Sequence, residues 1–377
     1  MSYFIALHDA VACITDPRVD RTKKHQLSDM VVIAVYALLC GAEGWCDIET
    51  IATERFEELA EFLDLKNGIP SHDTFQRVFS RLAPSELNAA LIVWGASLQE
   101  SLAGKVVAID GKTLRRSFDT AAHRSALHSI TAYVSENATI LGQCFGTSKD
   151  SEITQIPELL KKIDVKNAII TIDAIGCQKA IAEQIVTKNK ADFVLNLKDN
   201  QPSLKQEVEQ LFQEVDKNKS TQSCTTFQQH DKGHGRIENR SCLAVDVSGL
   251  GLPALKEWKG VKTVARITAT RESNSRAQET STRYFISSLS NDANVLFSAV
   301  RQHWAIENSL HWVLDVVFRE DDCRIRKDHA PANFASLRRI AYNFVKLNKP
   351  NKKQSNRQAR LRAMLGHSFA RTLLTGI

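Results

Sequence analysis

The sequence AIITIDAIGCQKAIAEQIVTKNKADFVLNL, residues 168–197, decides the fold. It begins with an apolar strand pattern at 168–172 and continues with a helical pattern at 177–188. A second apolar strand pattern follows at 192–197, and another helical pattern, 156–163, precedes the whole stretch. Apolar strands that alternate with helices are typical of a parallel sheet covered by helices, because each parallel connection needs a crossover.

Three further strand patterns come before this alternation. Residues 106–109 form an apolar run that stops at Asp110. Residues 126–134 and 139–145 form two more apolar runs around a polar turn, which suggests a meander. Three strands in series, followed by the alternating unit, predict an α/β protein whose ribonuclease H-like core begins with residues 101–198.

Residues 1–100 are predicted to form an N-terminal helical domain, with an apolar helix at 27–39. Another helix should start after Ser71, a plausible N-cap, because apolar residues then recur with a period of three or four. A short helix after a glycine-containing turn can read DNA, but such a helix more often packs in a bundle. The residues that would face outward are Gln76, Arg77 and Arg81.

The rest of the chain divides into three predicted parts. Residues 199–290 do not continue the alternation and carry several strand patterns, which predicts a β-rich insertion. Residues 291–347 regain a helical pattern and are expected to complete the catalytic core. Residues 348–377 are expected to form a basic C-terminal tail.

The composition is that of an ordinary globular protein, with 43% hydrophobic and 24% charged residues. The longest apolar stretch, 30–42, is well short of the ~20 residues that span a bilayer. No signal-peptide pattern and no CxxC pair are present, so we expect a cytoplasmic protein with reduced cysteines, without a structural zinc site and without membrane contact.

The formal net charge of +6 hides an asymmetry. Residues 324–377 contain thirteen Lys and Arg against one acid, Asp328, and therefore carry +12. The preceding 323 residues carry −6. A basic end on a slightly acidic body is an expected footprint of a polyanionic partner, although a solvated helical face has the same composition.

Three carboxylates occupy positions where a simple core would not place them. Asp110 and Asp173 each end an apolar strand, which is the usual edge for ligand sites in α/β sheets. A turn-forming Asp before Gly would also explain Asp110. Glu307 shares a predicted helix face with bulky apolar and aromatic residues, where an unpaired charge is costly; an ion pair with Arg is the alternative to a catalytic role.

Oxygen ligands without Cys or clustered His select Mg2+ or Mn2+. Two such ions roughly 4 Å apart suit phosphodiester transfer, because they activate the attacking oxygen and stabilise the leaving one. The three carboxylates therefore predict a site for two metal ions, formed by Asp110, Asp173 and Glu307.

The chain resembles the DDE transposases of bacterial insertion sequences, most closely the branch that includes the H-repeat-associated proteins. The resemblance covers nearly the whole chain. It rests on these segments: DPRVDRTKKHQLSDMVVIAVYALLCG (16–41), GIPSHDTFQRVFSRL (68–82), VVAIDGKTLRRS (106–117), ITIDAIGCQ (170–178), FVLNLKDNQ (193–201), HGRIENR (234–240), YFISSL (284–289), HWAIENSLHWVLDVVFRED (303–321) and NFASLRRIAYN (333–343).

The resemblance implies the same three carboxylates as a catalytic triad, on a ribonuclease H-like fold with a β-rich insertion before the helix that bears the Glu. The sequence departs from the wider pattern, which has Tyr seven before, Arg four before and Lys seven after the Glu. Those positions hold Val300, His303 and Leu314, and the residues that could take over the roles are Trp304, His303, Arg301 and His311.

Other basic residues are candidate phosphate contacts, with plain surface charge or a glycine-rich turn as the alternative. They lie after Asp110, in the insertion, before Glu307 and at the start of the basic end. The predicted set is Lys112, Arg115, Arg116, His234, Arg236, Arg301, His303, Arg324, Arg326 and Lys327.

The expected function is a metal-dependent transposase that acts on double-stranded DNA, both the element ends and the target, with a homo-oligomer on DNA as a possible assembly. Water would cut at the element end, and the released 3′-hydroxyl would attack the target. Two alternatives stay open: a ribonuclease H-like nuclease without strand transfer, and an inactive DNA-binding remnant.

Overall fold

A computed structural model describes residues 3–146, 148, 151–217, 223–233, 236–273 and 276–376. The chain forms two compact units. The first unit contains residues 1–101, 111–151 and 306–377, and the second contains residues 102–110 and 152–305. Among the described residues, no helix combines the length and the apolar character that crossing a bilayer requires.

The first unit is mainly helical. Its two central helices are α2 (Leu27–Leu39), in which every residue is buried, and α12 (Ala330–Asn348), which packs against it. Helices that are apolar nearly all round belong in a core. Its elements are α1 (Tyr3–Ala12), α2 (Leu27–Leu39), α3 (Trp45–Glu54), α4 (Phe56–Ala60), α5 (His72–Arg81), α6 (Pro84–Ser97), strands β2 (His128–Val134) and β3 (Thr139–Gly146), a π-helix (Ile306–His311), α11 (Trp312–Val316), α12 (Ala330–Asn348), α13 (Asn356–Leu365) and α14 (His367–Thr375).

Several details of this unit differ from the sequence prediction. Helix α1 was not predicted, and the chain after α2 forms two short helices, α3 and α4, that are separated at Arg55. The segment predicted to be a basic tail forms the helices α13 and α14, which pack against each other and against α2 and α12. Ser71 caps α5 as expected, since its hydroxyl accepts from the Thr74 amide.

The second unit is a mixed sheet with helices. In chain order its elements are β1 (Val106–Thr113, whose last three residues belong to the first unit), α7 (Glu152–Lys162), β4 (Ile169–Ile172), α8 (Lys179–Thr187), β5 (Asp192–Leu197), α9 (Pro202–Lys217), β6 (Cys224–Gly233), β7 (Arg236–Asp246), β8 (Thr263–Ser273), β9 (Arg276–Ser287) and α10 (Ala293–His303).

The strand order in this unit is β1-β4-β5-β9-β8-β7-β6. The pairs β1–β4 and β4–β5 are parallel, and every later pair is antiparallel. The predicted β-rich insertion therefore extends the sheet beyond β5. Strand β6 was not predicted, because its sequence, CTTFQQHDKG, is largely polar. The α/β class, the N-terminal helical region and the large mixed sheet confirm the predicted fold class.

Helix α10 packs on one face of this sheet. Its buried residues Leu296, Phe297 and Val300 share a core with Val106 of β1 and Ile169 of β4. Val106 and Ile169 are paired in the parallel register, so both side chains face α10. Helix α10 therefore lies against the face of the sheet that β1 and β4 share.

Candidate active site

Asp110 and Asp173 are brought together by the register of β1 and β4. Ile109 of β1 pairs with Ile172 of β4, so the two aspartates are the next residues on adjacent parallel strands. The prediction that Asp110 ends its strand is wrong, because β1 continues to Thr113; only its parallel pairing with β4 ends at Ile109. Asp173 continues the strand direction with extended dihedral angles (φ −67°, ψ −178°). Neighbouring strands lie about 5 Å apart, and register partners point to the same face. Both carboxylates are half-buried at this sheet edge.

The Asp173 carboxylate also caps the short 3-10 helix Ala174–Gly176. Its Oδ1 accepts from the Ile175 amide at 3.0 Å. The carboxylate therefore has a defined orientation at the point where the chain leaves the sheet.

His303, the last residue of α10, lies beside this edge. Its Nδ1 is 3.0 Å from the hydroxyl oxygen of Thr171, which lies two residues before Asp173 and so on the same face of β4. Burial lowers the pKa of His303 to about 4, although the Asp173 charge opposes the shift. The imidazole is therefore neutral at pH 7, and a cationic contact from His303 to phosphate does not fit its surroundings.

Glu307 lies in the π-helix of the first unit and its side chain is exposed. The prediction that this carboxylate is packed among apolar groups is wrong, because it assumed a regular turn of 3.6 residues. A π-helix widens the turn, and such segments are frequent at functional sites. Tyr342 of α12 donates to the Ser309 carbonyl at 2.9 Å, which anchors this π-helix within the first unit.

Lys112 is buried, and carboxylates surround its ammonium group. Its Nζ lies 2.6 Å from Asp315 Oδ1, 3.3 Å from Glu320 Oε2 and 2.9 Å from Asp321 Oδ1. Arg339 Nη1 donates to the other Glu320 oxygen at 2.7 Å, and both of these side chains are fully buried. We call Lys112, Asp315, Glu320, Asp321 and Arg339 the buried ion cluster. The structure gives Lys112 these partners in place of the predicted exposure to DNA phosphates.

The pKa values in the buried ion cluster reflect this pairing. Burial alone would raise the pKa of Glu320, but the charges of Arg339, Lys112 and Arg338 lower it to about 2. Burial alone would lower the pKa of Lys112, but its carboxylate partners raise it. The pKa of Asp315 is raised, mainly by burial. The sequence analysis did not identify this cluster, since its members are far apart along the chain.

Most other predicted contact residues of the first unit are accessible. Arg115, Arg116, Arg324 and Lys327 are exposed, and Arg115 also pairs with Asp321. Arg326 is half-buried because its guanidinium stacks on Phe118 at 4.4 Å and donates to the Arg116 carbonyl. On α5, Arg77 and Arg81 are exposed and Gln76 is half-buried.

In the second unit, Arg301 is exposed on α10. The predicted residue His234 lies outside the described residues. Arg236 begins β7, but its side chain also lies outside them.

The basic C-terminal region is partly structural. Arg338, Arg339 and Arg360 are buried; Arg360 stacks on Phe318 at 4.3 Å and donates to the Leu38 carbonyl at 3.0 Å. Buried Lys349 donates to the Gln354 carbonyl at 2.7 Å. The count of +12 therefore overstates the charge that faces solvent.

The donor set at the sheet edge fits a hard divalent cation, because adjacent carboxylates repel each other unless a cation neutralises them. Two of the predicted ligands, Asp110 and Asp173, are neighbours within the second unit, whereas Glu307 belongs to the first unit. Within the described residues no group of three or more acidic, His or Cys side chains is arranged to hold a metal ion. Convergence of all three carboxylates thus stays a prediction.

Comparison with known proteins gives matches along nearly the whole chain. The family model described as "Transposase DDE domain" matches residues 102–344, and the one described as "DDE_Tnp_1-associated" matches residues 8–95. The first match confirms the predicted ribonuclease H-like fold class.

Relatives support the same grouping. "H repeat-associated putative transposase YhhI" of Escherichia coli K12 is 36% identical over 98% of both chains. "Putative transposase YncI" of Escherichia coli O157:H7 is 39% identical over 90% of this chain and 87% of its own. "Inactive transposase YbfQ" of Escherichia coli K12 is 44% identical over 15% of this chain and 68% of its own. The resemblance found in the sequence is thereby confirmed.

Proposed function

We propose that this chain, which belongs to the DDE transposase family, cuts DNA at the ends of an insertion sequence and joins those ends to target DNA. The observation that carries the proposal is the pairing of Ile109 with Ile172, which makes Asp110 and Asp173 neighbours at the edge where the parallel pairing of β1 with β4 ends. This is the edge at which α/β sheets place their ligand sites.

Asp110, Asp173 and Glu307 would hold Mg2+ or Mn2+. When bound, two such ions supply activation of the attacking oxygen and charge stabilisation of the leaving oxygen. The exposed position of Glu307 on a π-helix suits a ligand that must reach a metal rather than pack in a core. For this triad we expect the three carboxylates to converge to within about 8 Å, the reach of a two-metal site.

Cleavage and joining require no reagent besides water and the two DNA molecules. A water oxygen forms a bond to phosphorus while the bond from phosphorus to the 3′ oxygen breaks, which leaves a 5′-phosphate and a 3′-hydroxyl. That hydroxyl then attacks a phosphorus of the target strand, and the target's own 3′ oxygen leaves as a hydroxyl. Both steps are in-line displacements at phosphorus.

His303 and Thr171 hold the site in shape. The neutral imidazole forms a hydrogen bond with the Thr171 hydroxyl at 3.0 Å. This bond fixes the end of α10 against the last residues of β4 before Asp173. His303 is thus a positioning residue. Residues that support a metal ligand without binding the metal orient that ligand in the same way. His303→Arg should lose cleavage, because a larger permanent charge would enter a desolvated position.

Exposed basic residues of the first unit would contact DNA phosphates. Arg115, Arg116, Arg324 and Lys327 carry charge at the surface, where it adds salt-dependent affinity. Arg77 and Arg81 on α5 are proposed to distinguish element ends from random DNA. Arg77→Ala or Arg81→Ala should lower that discrimination; if both variants retain it, α5 serves only for packing.

The test is a strand-transfer assay with DNA ends that flank the gene and a plasmid target. Wild-type protein with Mg2+ should yield joined products, and Asp110→Asn should yield neither cut nor joined DNA while still binding DNA. Cut DNA without joined products would favour a nuclease. Absence of both in the wild type would favour an inactive remnant, a state that the name of one relative also records.

A further inference from the structure

A cavity of about 200 Å³ lies in the second unit. It is lined by residues of β7, β8, β9 and α10, so four separate elements form its wall. Each of these elements contributes one arginine, and the end of α10 is followed by a tryptophan that also lines the cavity. These residues, which we call the arginine cavity, are Arg240, Arg271, Arg283, Arg301 and Trp304.

The positive charge of the arginine cavity is only partly compensated. Glu238 is the one carboxylate among the residues that line it, and it pairs with Arg240 and, at 3.4 Å, with Arg271. Arg240 is buried and also pairs with Asp231. Among the described residues, neither Arg283 nor Arg301 has a carboxylate within ion-pair distance.

The guanidinium groups of Arg283 and Arg301 are accessible at this cavity. Arg283 stacks over the Trp304 ring, with its central carbon 4.7 Å from the ring centroid. Arg301 projects from α10; burial, together with the charge of Arg240, lowers its pKa. The carboxylates of Glu238 and Asp231 oppose this shift, and Arg301 remains a cation at neutral pH. Both side chains are nevertheless exposed to solvent, so a large ligand can reach them.

We infer that the arginine cavity binds a phosphate group of the DNA backbone through Arg283 and Arg301. Guanidinium groups match phosphate oxygens with paired hydrogen bonds and are weakly hydrated, which favours this ligand. The inference rests on the proposed function, because a transposase must grip DNA beyond the reacting bond. The inference assigns part of the DNA contact to the predicted β-rich insertion, whose strands β7, β8 and β9 line the cavity together with α10.

The experiment compares Arg283→Gln/Arg301→Gln with the wild type in the full chain. Binding of a random-sequence duplex is measured over a range of salt concentrations, and binding of inorganic phosphate alone is measured by calorimetry. Loss of two phosphate contacts should lower the slope of log affinity against log salt by about 1.8. Lys162→Gln/Lys166→Gln, which removes the same charge from exposed positions of the same unit, should change the slope by less.

Three results would overturn the inference. One is an unchanged duplex slope in the Arg283→Gln/Arg301→Gln variant. Another is an equal change in the Lys162→Gln/Lys166→Gln control, which would reduce the effect to net charge. The third is a loss of inorganic phosphate binding with an unchanged duplex slope, which would make the cavity a small-anion site.

Failure of the proposed function gives a different result. Asp110-dependent cleavage would then be absent, while the duplex slope of the arginine-cavity variant could still fall. Thermal unfolding of the variant should differ little from that of the wild type, because neither replaced arginine has an ion-pair partner among the described residues and the lost stacking of Arg283 on Trp304 is at an exposed position. Arg301→Lys should retain the slope, since the slope depends on the positive charge, but it should lower the affinity because lysine lacks the paired hydrogen bonds of a guanidinium group.

Discussion

In the first unit, Arg339 and Glu320 are fully buried and 2.7 Å apart, and Lys112 lies 3.3 Å from the other Glu320 oxygen. In the second unit, Arg283 and Arg301 line an open cavity without a carboxylate partner among the described residues. Buried charges are tolerated only when they are paired, whereas exposed charges can stay unpaired until a ligand arrives. The basic residues of one chain therefore serve two separate purposes, stability in one cluster and recognition in the other.

The largest expected effect is on the buried ion cluster. Glu320→Gln leaves Arg339 and Lys112 buried without their shared carboxylate, so the free energy of unfolding should fall by about 3 to 5 kcal/mol. Urea unfolding followed by circular dichroism measures this change. Glu158→Gln, which removes an exposed partner of Lys161, is the matched control and should leave the urea midpoint nearly unchanged. An unchanged urea midpoint in Glu320→Gln would show that the buried ion cluster does not stabilise the fold.

The second effect is on acid stability. The folded pKa of Glu320 is about 2, below the value of about 4.3 in an unfolded chain, so its contribution is complete above pH ~4.3. That contribution is lost as the pH falls from there towards 2. Asp315, whose pKa is raised, acts in the opposite direction. Urea unfolding at a series of pH values should show the difference between wild type and Glu320→Gln shrinking in this range; a constant difference would contradict the assignment.

A third substitution distinguishes between a structural role of Lys112 in the buried ion cluster and its predicted contact with DNA phosphates. Lys112→Met removes the ammonium group that faces three carboxylates and should lower the free energy of unfolding by about 2 kcal/mol. The salt dependence of DNA binding should not change. The reverse result, normal stability with a slope reduced by about 0.9, would return Lys112 to the phosphate contacts predicted from sequence.

The smallest effect concerns the C-terminal helices. Lys353 and Arg357 are exposed, so Lys353→Gln and Arg357→Gln should each lower the salt slope by at most about 0.9. Arg360→Gln should leave the slope unchanged but lower the urea midpoint, because its guanidinium bonds backbone carbonyls in the core. A fall in slope with Arg360→Gln would show that this helix is displaced when DNA binds.

Much of the fold followed from local sequence patterns. The strands β4 and β5, the helix α8 between them and the Ser71 cap of α5 were predicted within a few residues, since each depends on apolar spacing or on a capping side chain. Strand β6 escaped notice, because edge strands can be polar on both faces. Helix α1 and the break at Arg55 also lay outside what periodicity could indicate.

The sequence likewise predicted some features of the candidate site and missed others. Asp110 and Asp173 stand out locally because each follows an apolar run, and the sheet register then makes them neighbours. The partnership of His303 with Thr171 spans 132 residues of sequence, so no local pattern could indicate it. The exposure of Glu307 depends on a π-helix, which the assumed 3.6-residue period excludes.

The sequence by itself determined the α/β alternation around β4 and β5, the family, and which carboxylates follow the apolar runs of the two parallel strands, because these depend on residue type and spacing along the chain. Only the tertiary structure decided which charged side chains are buried against a partner within the protein and which stay accessible. Lys112, Arg339 and Arg360 read as surface charges in the sequence but are buried against carboxylates or carbonyl groups, while Arg283 and Arg301 are not. The physical reason is that the cost of a charge depends on its distance from water and from opposite charge, and folding sets both distances.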